Sequence, residues 1–182
     1  SRTRVRCAWA KFNELGPILT ARGASWKLKG KIYRLCVQRV LVYGSETWPV
    51  KVADMQRLVR TERMMVRWMC AKTLKDRSRS EELRGCLGIE GVADVVRRDR
   101  LRWFGHVERK RDDDWVSACR NIKIGGSVGR GRSRKTWEEV IKGDLEAYGL
   151  DRKDAKNRDL WRSSIVWNRP THVNMEKRTL RR

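Results

Sequence analysis

Apolar side chains recur along this chain at the three- and four-residue spacing of amphipathic helices, and no stretch alternates apolar and polar residues as a strand would. The opening run predicts a helix that ends before Gly16. A second run predicts a helix from near Ser25 to Tyr43, which Gly44 ends. The pattern predicts an all-α fold, an irregular multi-helix bundle.

The second predicted helix is the most apolar part of the chain. Its apolar residues form one stripe of Leu28, Ile32, Leu35, Cys36, Val40 and Tyr43. Val37, Leu41 and Val42 widen the stripe until the C-terminal half is apolar nearly all round. A helix of this kind is buried by its neighbours, so we expect Val42 and Tyr43 to form a buried helix end.

Further helices are predicted before residue 122, at about residues 53–71, 81–87 after an N-cap at Ser80, and 92–104. Gly88 ends the second of these, and Gly105-His106 interrupts or ends the third. Asp114 is expected to cap a short helix that runs through Cys119.

Glycines at every second or third position make residues 125–135 unsuitable for a helix and predict a flexible basic linker. Thr136 and Glu139 then have the spacing of a capping box, Gly149 ends that helix, and Asp151 caps a last one with Ala155 and Trp161 inward. The chain therefore divides into segments 1–75, 76–122, the linker 123–135, a C-terminal helical pair 136–169 and a polar tail 170–182. Since it begins without Met inside a helical pattern, we expect a fragment of a longer protein.

Charge narrows the choice of partner. The 44 Lys and Arg against 22 Asp and Glu give a formal charge of +22, which favours a polyanion as partner. Nucleic acid is the expected one, RNA or DNA, because each neutralised phosphate releases counterions. No apolar run is long enough to span a bilayer and the N-terminus lacks signal-peptide features, so no membrane partner is expected. We expect the nucleus and cytoplasm as location.

The sequence contains few candidates for a metal site or a catalytic residue. Five well-separated cysteines and two histidines form no zinc pattern, which predicts free thiols, no metal and no cofactor. The acidic run at residues 112–114 is better explained as a helix start than as a two-metal site. His106, with Cys119 or an Asp, is the only candidate for a general base, and it lacks an evident nucleophile with an orienting partner. No catalytic residue is predicted.

Arginine and lysine side chains are the predicted contacts to nucleic acid. They are Arg57, Arg60, Arg63 and Arg67 on the third helix, Arg97, Arg98 and Arg102 on the next long helix, Arg109, Lys110 and Arg111 after it, and Arg130, Arg132, Arg134 and Lys135 in the linker. Each group has a second interpretation: the helical stripe as a solvated face, and the linker as a tether that binds nothing in particular. Most of the tryptophans are expected to build the core, although a tryptophan can also stack on bases or lie beside an arginine.

Three local patterns, in this order, resemble the region after the reverse-transcriptase palm in LINE-type (non-LTR) retrotransposon polyproteins. They are Lys31–Tyr33 with Leu41–Trp48, then Arg100–Arg109, then Gly129–Trp137 followed by Asp144-Leu145 and Asn157–Arg162. The motif residues expected to be structural are Tyr43, Gly44, Glu46, Trp48, Trp103, Gly105, His106, Trp137 and Trp161. The resemblance covers about residues 1–165 and implies a thumb and post-thumb region.

The resemblance also implies a parent protein, an RNA-directed DNA polymerase with an endonuclease, in which this region grips template RNA or template–primer. The palm motif Y-x-D-D and a C-terminal cysteine–histidine knuckle are absent from this sequence, and Arg132-Ser133 stands where Gly-Arg-Pro is common. Polymerase activity is therefore assigned to the parent. Two alternatives stay open: a protein-interaction scaffold that packs on the upstream palm, and a degenerate genomic copy without function.

Overall fold

The computed structural model describes residues 2–111, 113–121 and 135–167, and every regular element in these ranges is helical. This confirms the all-α prediction. The chain forms two compact units: a first unit of residues 1–45 and 50–96, and a second unit of residues 46–49 and 97–182. These units follow spatial contacts, whereas the five segments expected from the sequence follow composition and helix caps.

The first unit is built around one apolar core. Its helices are α1 (Arg2–Glu14), α2 (Gly16–Leu19), α3 (Trp26–Ile32) continued by a π-helical segment (Tyr33–Gln38) and α4 (Arg39–Val42), α5 (Val52–Met69), α6 (Ser80–Leu87) and the first turn of α7 (Val92–Glu108). The core contains Phe12, Tyr33, Leu41, Leu58 and Met65, all buried. Side chains distant in sequence therefore share one hydrophobic interior.

The predicted stripe of the second helix is confirmed in part, because Ile32 and Val40 pack against the core and Val42 is buried. Leu28, Leu35 and Tyr43 are exposed, Tyr43 at 65%, whereas Tyr33, Val37 and Leu41 are buried. Tyr43 therefore does not belong to a buried helix end, although Val42 does. A physical reason lies in the π-helical segment, because its wider turns rotate the residues after it away from a regular 3.6-residue spacing.

The second unit has a smaller core. Its elements include the rest of α7, α8 (Trp115–Asn121), α9 (Trp137–Tyr148), a 3₁₀ turn (Arg152–Lys156) and α10 (Arg158–Trp167). Its buried residues are Leu101, Phe104, Ile141, Tyr148, Ala155, Trp161 and Ile165. Ala155 and Trp161 are thus buried as predicted. Within the described part of the chain, no helix is long and apolar enough to cross a membrane.

Most predicted helix ends are confirmed by their hydrogen bonds. The Ser25 hydroxyl accepts from the Leu28 N–H at 3.3 Å, and Thr136 and Glu139 form the reciprocal capping box. Gly88 and Gly149 adopt the left-handed conformation, each with φ of 63°, after the last helical residue. The Asp114 carboxylate accepts from the Val116 N–H at 2.9 Å. These caps are local, which is why sequence spacing finds them.

Other boundaries differ from the prediction. Ser80 is the first residue of α6 rather than its cap. Asp151 does cap the next element, but that element is a 3₁₀ turn, and the expected single last helix is divided at Asn157 before α10 begins. The largest difference is at Gly105-His106, where α7 continues to Glu108 without interruption.

A buried carboxylate ties three elements of the first unit together. Glu62, on α5, is 1% exposed, and its oxygens accept from Gln38 Nε2 at 3.3 Å and from the Val92 N–H at 3.0 Å. An Arg84 nitrogen lies 3.7 Å away. Burial raises the pKa of Glu62 to about 7, although the hydrogen bond from Val92, the charge of Arg84 and the hydrogen bond from Gln38 oppose the shift.

We predict that this one carboxyl makes the folded state more stable as pH falls from 8 to 5. Because the folded pKa is near 7 and the unfolded value is 4.5, the folded state holds an extra proton in that window. The contribution to the free energy of unfolding is on the order of 3 kcal/mol across the window. Urea unfolding at several pH values measures it.

Glu62→Gln is expected to remove this pH dependence, because a neutral amide has no proton to lose. Glu82→Gln, at an exposed position on α6, is the matched control and should keep the wild-type dependence. A Glu62→Gln profile that parallels that of the wild type between pH 8 and pH 5 would contradict the assignment.

Candidate nucleic-acid interface

The four predicted arginines of α5 occupy two kinds of environment. Arg57 is ion-paired with Asp54 at 2.9 Å. Arg67 donates to the Thr73 carbonyl at 2.7 Å and the Ser78 carbonyl at 3.1 Å, and so orders the loop after α5. Arg60 and Arg63 are exposed. The two middle arginines are therefore the ones that α5 presents to solvent.

The arginines of α7 lie close to acids of the second unit. Arg97 is 3.9 Å from Asp144, and Arg98 is 3.4 Å from Asp99. Arg102 is exposed and lies 3.7 Å from Asp99. Of these three, only Arg102 is mostly open to water, where an ion pair is screened and contributes little.

The basic triplet after α7 is also divided. Arg109 is half-buried and donates to the Ala155 carbonyl at 2.7 Å, and burial lowers its pKa. Lys110 is 2.9 Å from Asp114, the cap of α8. Arg111 is exposed, 3.2 Å from an equally exposed Asp113. Thus Arg109 has a packing role, whereas Arg111 stays accessible.

The predicted linker contributes one described side chain, Lys135, which is exposed just before the capping box of α9. Arg130, Arg132 and Arg134 lie outside the described residues, as do residues 122–134 as a whole and the predicted tail from residue 170. The expectations about them stay predictions.

The first 45 residues hold a concentration of positive charge that the sequence-based list of binding residues missed. They contain ten Lys and Arg and a single acid, Glu14, which pairs with Lys11 at 2.8 Å. Arg4 lies over the ring of the exposed Tyr43, 4.4 Å from its centroid. The exposed basic side chains are Arg2, Arg6, Arg22, Lys27, Lys31, Arg34 and Arg39. A charge count in a sliding window would have found this segment.

Several motif residues of the resemblance, from Glu46 and Arg100 to Trp161, lie in the second unit and make packing contacts there. Arg100 is 2% exposed and its Nε donates to Asp144 at 2.6 Å. Burial raises the pKa of Asp144, and the charge of Arg100 opposes that shift. The Trp137 indole N–H donates to the Glu46 carbonyl at 2.8 Å. Within the second unit, Glu46, Arg100, Trp137 and Asp144 of the three sequence patterns are therefore joined by hydrogen bonds.

Trp161 explains why α7 passes through Gly105. The Trp161 indole is buried and donates to the Leu101 carbonyl at 3.0 Å, one turn before Gly105 on the same helix. A Cβ at position 105 would overlap the indole Nε1 of Trp161. Gly105 is thus required for the close approach of a side chain and not for a helix end.

The expectation that tryptophans build the core holds for only some of them. Trp161 is fully buried, whereas Trp48, Trp103 and Trp137 are half-buried. Trp103 stacks on the exposed His106, with ring centroids 5.3 Å apart. The side chains exposed instead of buried are Trp26, Trp68 and Trp115. The spacing of apolar residues alone does not distinguish a tryptophan that packs at the surface from one that is buried.

No group of His, Cys, Asp and Glu among the described residues is arranged to hold a metal ion. The Asp114 carboxylate, near His106, serves α8: its pKa is lowered by the Val116 N–H, by a hydrogen bond from Lys110 and by nearby positive charge. Cys7, Cys86 and Cys119 are exposed thiols.

The chain is similar to a Caenorhabditis elegans protein described as transposon-derived and uncharacterized. The two are 30% identical over 118 residues, which is 63% of this chain. The matched region spans 42% of the length of that protein. No protein-family profile and no solved structure matches the chain. The comparison indicates a transposon origin.

We predict that Gly105→Ala destabilises the second unit by about 1–3 kcal/mol, because the added methyl group would displace the Trp161 indole. Gly143→Ala on α9 is the matched control. A Cβ there meets nothing within 4 Å, so the higher helix propensity of alanine should stabilise the unit by about 0.5–1 kcal/mol. Thermal unfolding followed by circular dichroism measures both, and opposite signs are expected; a stabilised Gly105→Ala variant would refute the packing argument.

Proposed function

We propose that this chain is the nucleic-acid-binding C-terminal part of a LINE-type retrotransposon reverse transcriptase. It grips template RNA or template–primer through phosphate contacts and performs no catalysis in isolation. The polymerase and endonuclease activities belong to the parent protein. A transposon origin is supported by the C. elegans relative, and the finer assignment by the three sequence patterns that resemble the region after the palm.

One observation carries the binding proposal: the first unit has far too few acids to neutralise its bases. It contains 20 Lys and Arg against eight Asp and Glu. One of these acids, Glu62, is buried, and others already pair with Lys11, Arg57 and Arg84. The exposed guanidinium groups therefore create a positive potential that a polyphosphate would balance with release of counterions.

The arginines also differ in their partners and exposure, which supports assigning them different roles. Side chains held by carbonyls or buried acids, such as Arg67, Arg100 and Arg109, are assigned to folding. The exposed Arg60, Arg63, Arg102 and Arg111 are assigned to phosphate contact, together with the basic side chains of α1 to α4. The proposal can therefore be tested by substituting an arginine assigned to phosphate contact and comparing it with one that already has a partner within the protein.

We predict that binding to RNA or DNA is strongly salt-dependent. Contact with about six phosphates should reduce affinity on the order of a thousand-fold between 50 and 200 mM salt. The double variant Arg60→Ala/Arg63→Ala should lower the slope of log affinity against log salt by about 2, because two phosphate contacts are lost. Fluorescence anisotropy with labelled oligonucleotides measures the slope.

Arg57→Ala is the matched control on the same helix, since this guanidinium already pairs with Asp54. It should leave the slope nearly unchanged. Absence of binding to both RNA and DNA near about 100 mM salt, or an affinity that salt does not alter, would refute the proposed function.

A second candidate function, a scaffold that packs on the upstream palm, is favoured by the exposed apolar side chains of α3 and the π-helical segment. Leu28 and Leu35 are both exposed, as expected for apolar side chains that a protein partner covers. Binding to a palm fragment of the parent that Leu28→Ser/Leu35→Ser abolishes, without any nucleic-acid binding, would select this function.

A further inference from the structure

Two tryptophans of the first unit, the half-buried Trp9 and the exposed Trp68, are in contact at its surface. The rings of Trp9 and Trp68 meet edge to face, with centroids 5.6 Å apart. Trp68 is 56% exposed, and Met64, one turn earlier on α5, is 53% exposed. Large apolar side chains grouped in this way at a surface indicate a binding site.

A buried ring holds this tryptophan pair in place. Phe12 is buried, its centroid lies 5.6 Å from that of Trp9, and the centroid of Trp68 is 6.1 Å away. The two indoles are therefore packed on the core from below while Trp68 stays open to solvent. A ring fixed before binding loses little conformational entropy when a ligand arrives.

Positive charge surrounds the tryptophan pair. Arg6 precedes Trp9 by three residues, one turn of α1. Lys72 follows Trp68 by four residues and lies in the loop after α5, which ends at Met69. Arg60 precedes Trp68 by eight residues, about 12 Å along α5. Arg6 and Arg60 are exposed and form no ion pair with the residues that the structure describes.

No Asp or Glu stands three or four positions from either tryptophan in the sequence. The residues three and four positions from Trp9 and Trp68 are Val5, Arg6, Phe12, Asn13, Met64, Met65, Ala71 and Lys72. Asp76 lies near Lys72, but its carboxylate accepts hydrogen bonds from Thr73. An aromatic face with basic side chains such as Arg6 and Arg60 on the same helices suits a ligand that combines flat apolar rings with negative charge. A protein partner would need an acidic border around an apolar centre to match it.

We propose that the Trp9–Trp68 pair is a stacking platform for an unpaired base of single-stranded nucleic acid, with Arg6 and Arg60 positioned for the flanking phosphates. Stacking is available to every base because each has a π-face, so it requires no particular sequence. A duplex keeps its bases stacked inside and offers only phosphates here. This inference rests on the proposed nucleic-acid binding and adds a preference for single strands.

The test uses the full chain and single strands of about 15 nucleotides. The probes are oligothymidylate, oligouridylate, an abasic strand with the same phosphates and no bases, and a duplex of equal length. The wild type should bind oligothymidylate more tightly than the abasic strand. Trp68→Ala should weaken oligothymidylate binding about tenfold, equal to about 1.4 kcal/mol, and leave abasic binding unchanged. Comparing the affinities for oligouridylate and oligothymidylate shows whether the bases of RNA and DNA stack on the platform equally well.

Two further variants separate stacking from folding. Trp68→Phe keeps an aromatic face and should retain most of the affinity. Leu74→Ala removes an apolar side chain that is 81% exposed in the same unit and should have no effect. Equal wild-type affinity for the abasic and thymidylate strands, or an equal loss for both in Trp68→Ala, would overturn the platform while the proposed function stands.

Failure of the wild type to bind any of the four probes would overturn the proposed function itself. Loss of binding to the parent's palm in Trp68→Ala, with nucleic-acid affinity intact, would overturn the platform in favour of a protein contact. The result that supports the proposal has two parts. The wild type binds the unmodified strand more tightly than the abasic one, and of the three variants only Trp68→Ala removes this preference.

Discussion

The second unit depends on the position of one indole. Trp161 fills the centre of its core, donates its N–H to the Leu101 carbonyl and lies where any side chain at position 105 would stand. Beside this contact, Asp144 holds the buried Arg100, and a buried pair of this kind is costly to break because either partner alone would be an uncompensated charge. Residues up to 60 positions apart in sequence are thereby fixed in one arrangement.

Arginine serves two purposes in this chain, and the structure separates them by their partners. A guanidinium has five donors in a planar arrangement, so it can satisfy backbone carbonyls as well as phosphates. Arg67 and Arg109 donate to carbonyls that would otherwise need water. The arginines without such partners, Arg60 among them, remain as surface charge. A high arginine count by itself therefore overstates the number of residues open to a ligand.

Local features of the fold could be predicted from the sequence, and contacts distant in sequence could not. The caps at Ser25, Thr136 and Gly149 depend on hydrogen bonds within a few residues, which spacing reveals. The role of Gly105 depends on Trp161, and the buried face of the second helix depends on a π-helical segment that apolar spacing does not encode. For the candidate site, sequence named Arg60 and Arg63 but gave the exposed Trp68 no role beyond the core, because its apolar character predicts burial whichever face it occupies.

The hydrogen bonds of Glu62 also determine how the chain can be shortened. Gln38 donates both to this carboxylate and to the Glu90 carbonyl, and the Val92 N–H reaches it from the start of α7. A truncated fragment that ends near residue 75 would lack Arg84 and Val92. The Glu62 carboxylate would then remain in an apolar interior without these partners. A piece of the N-terminal half that keeps every residue of this core therefore extends to residue 96, because Val92, Val95 and Val96 belong to it.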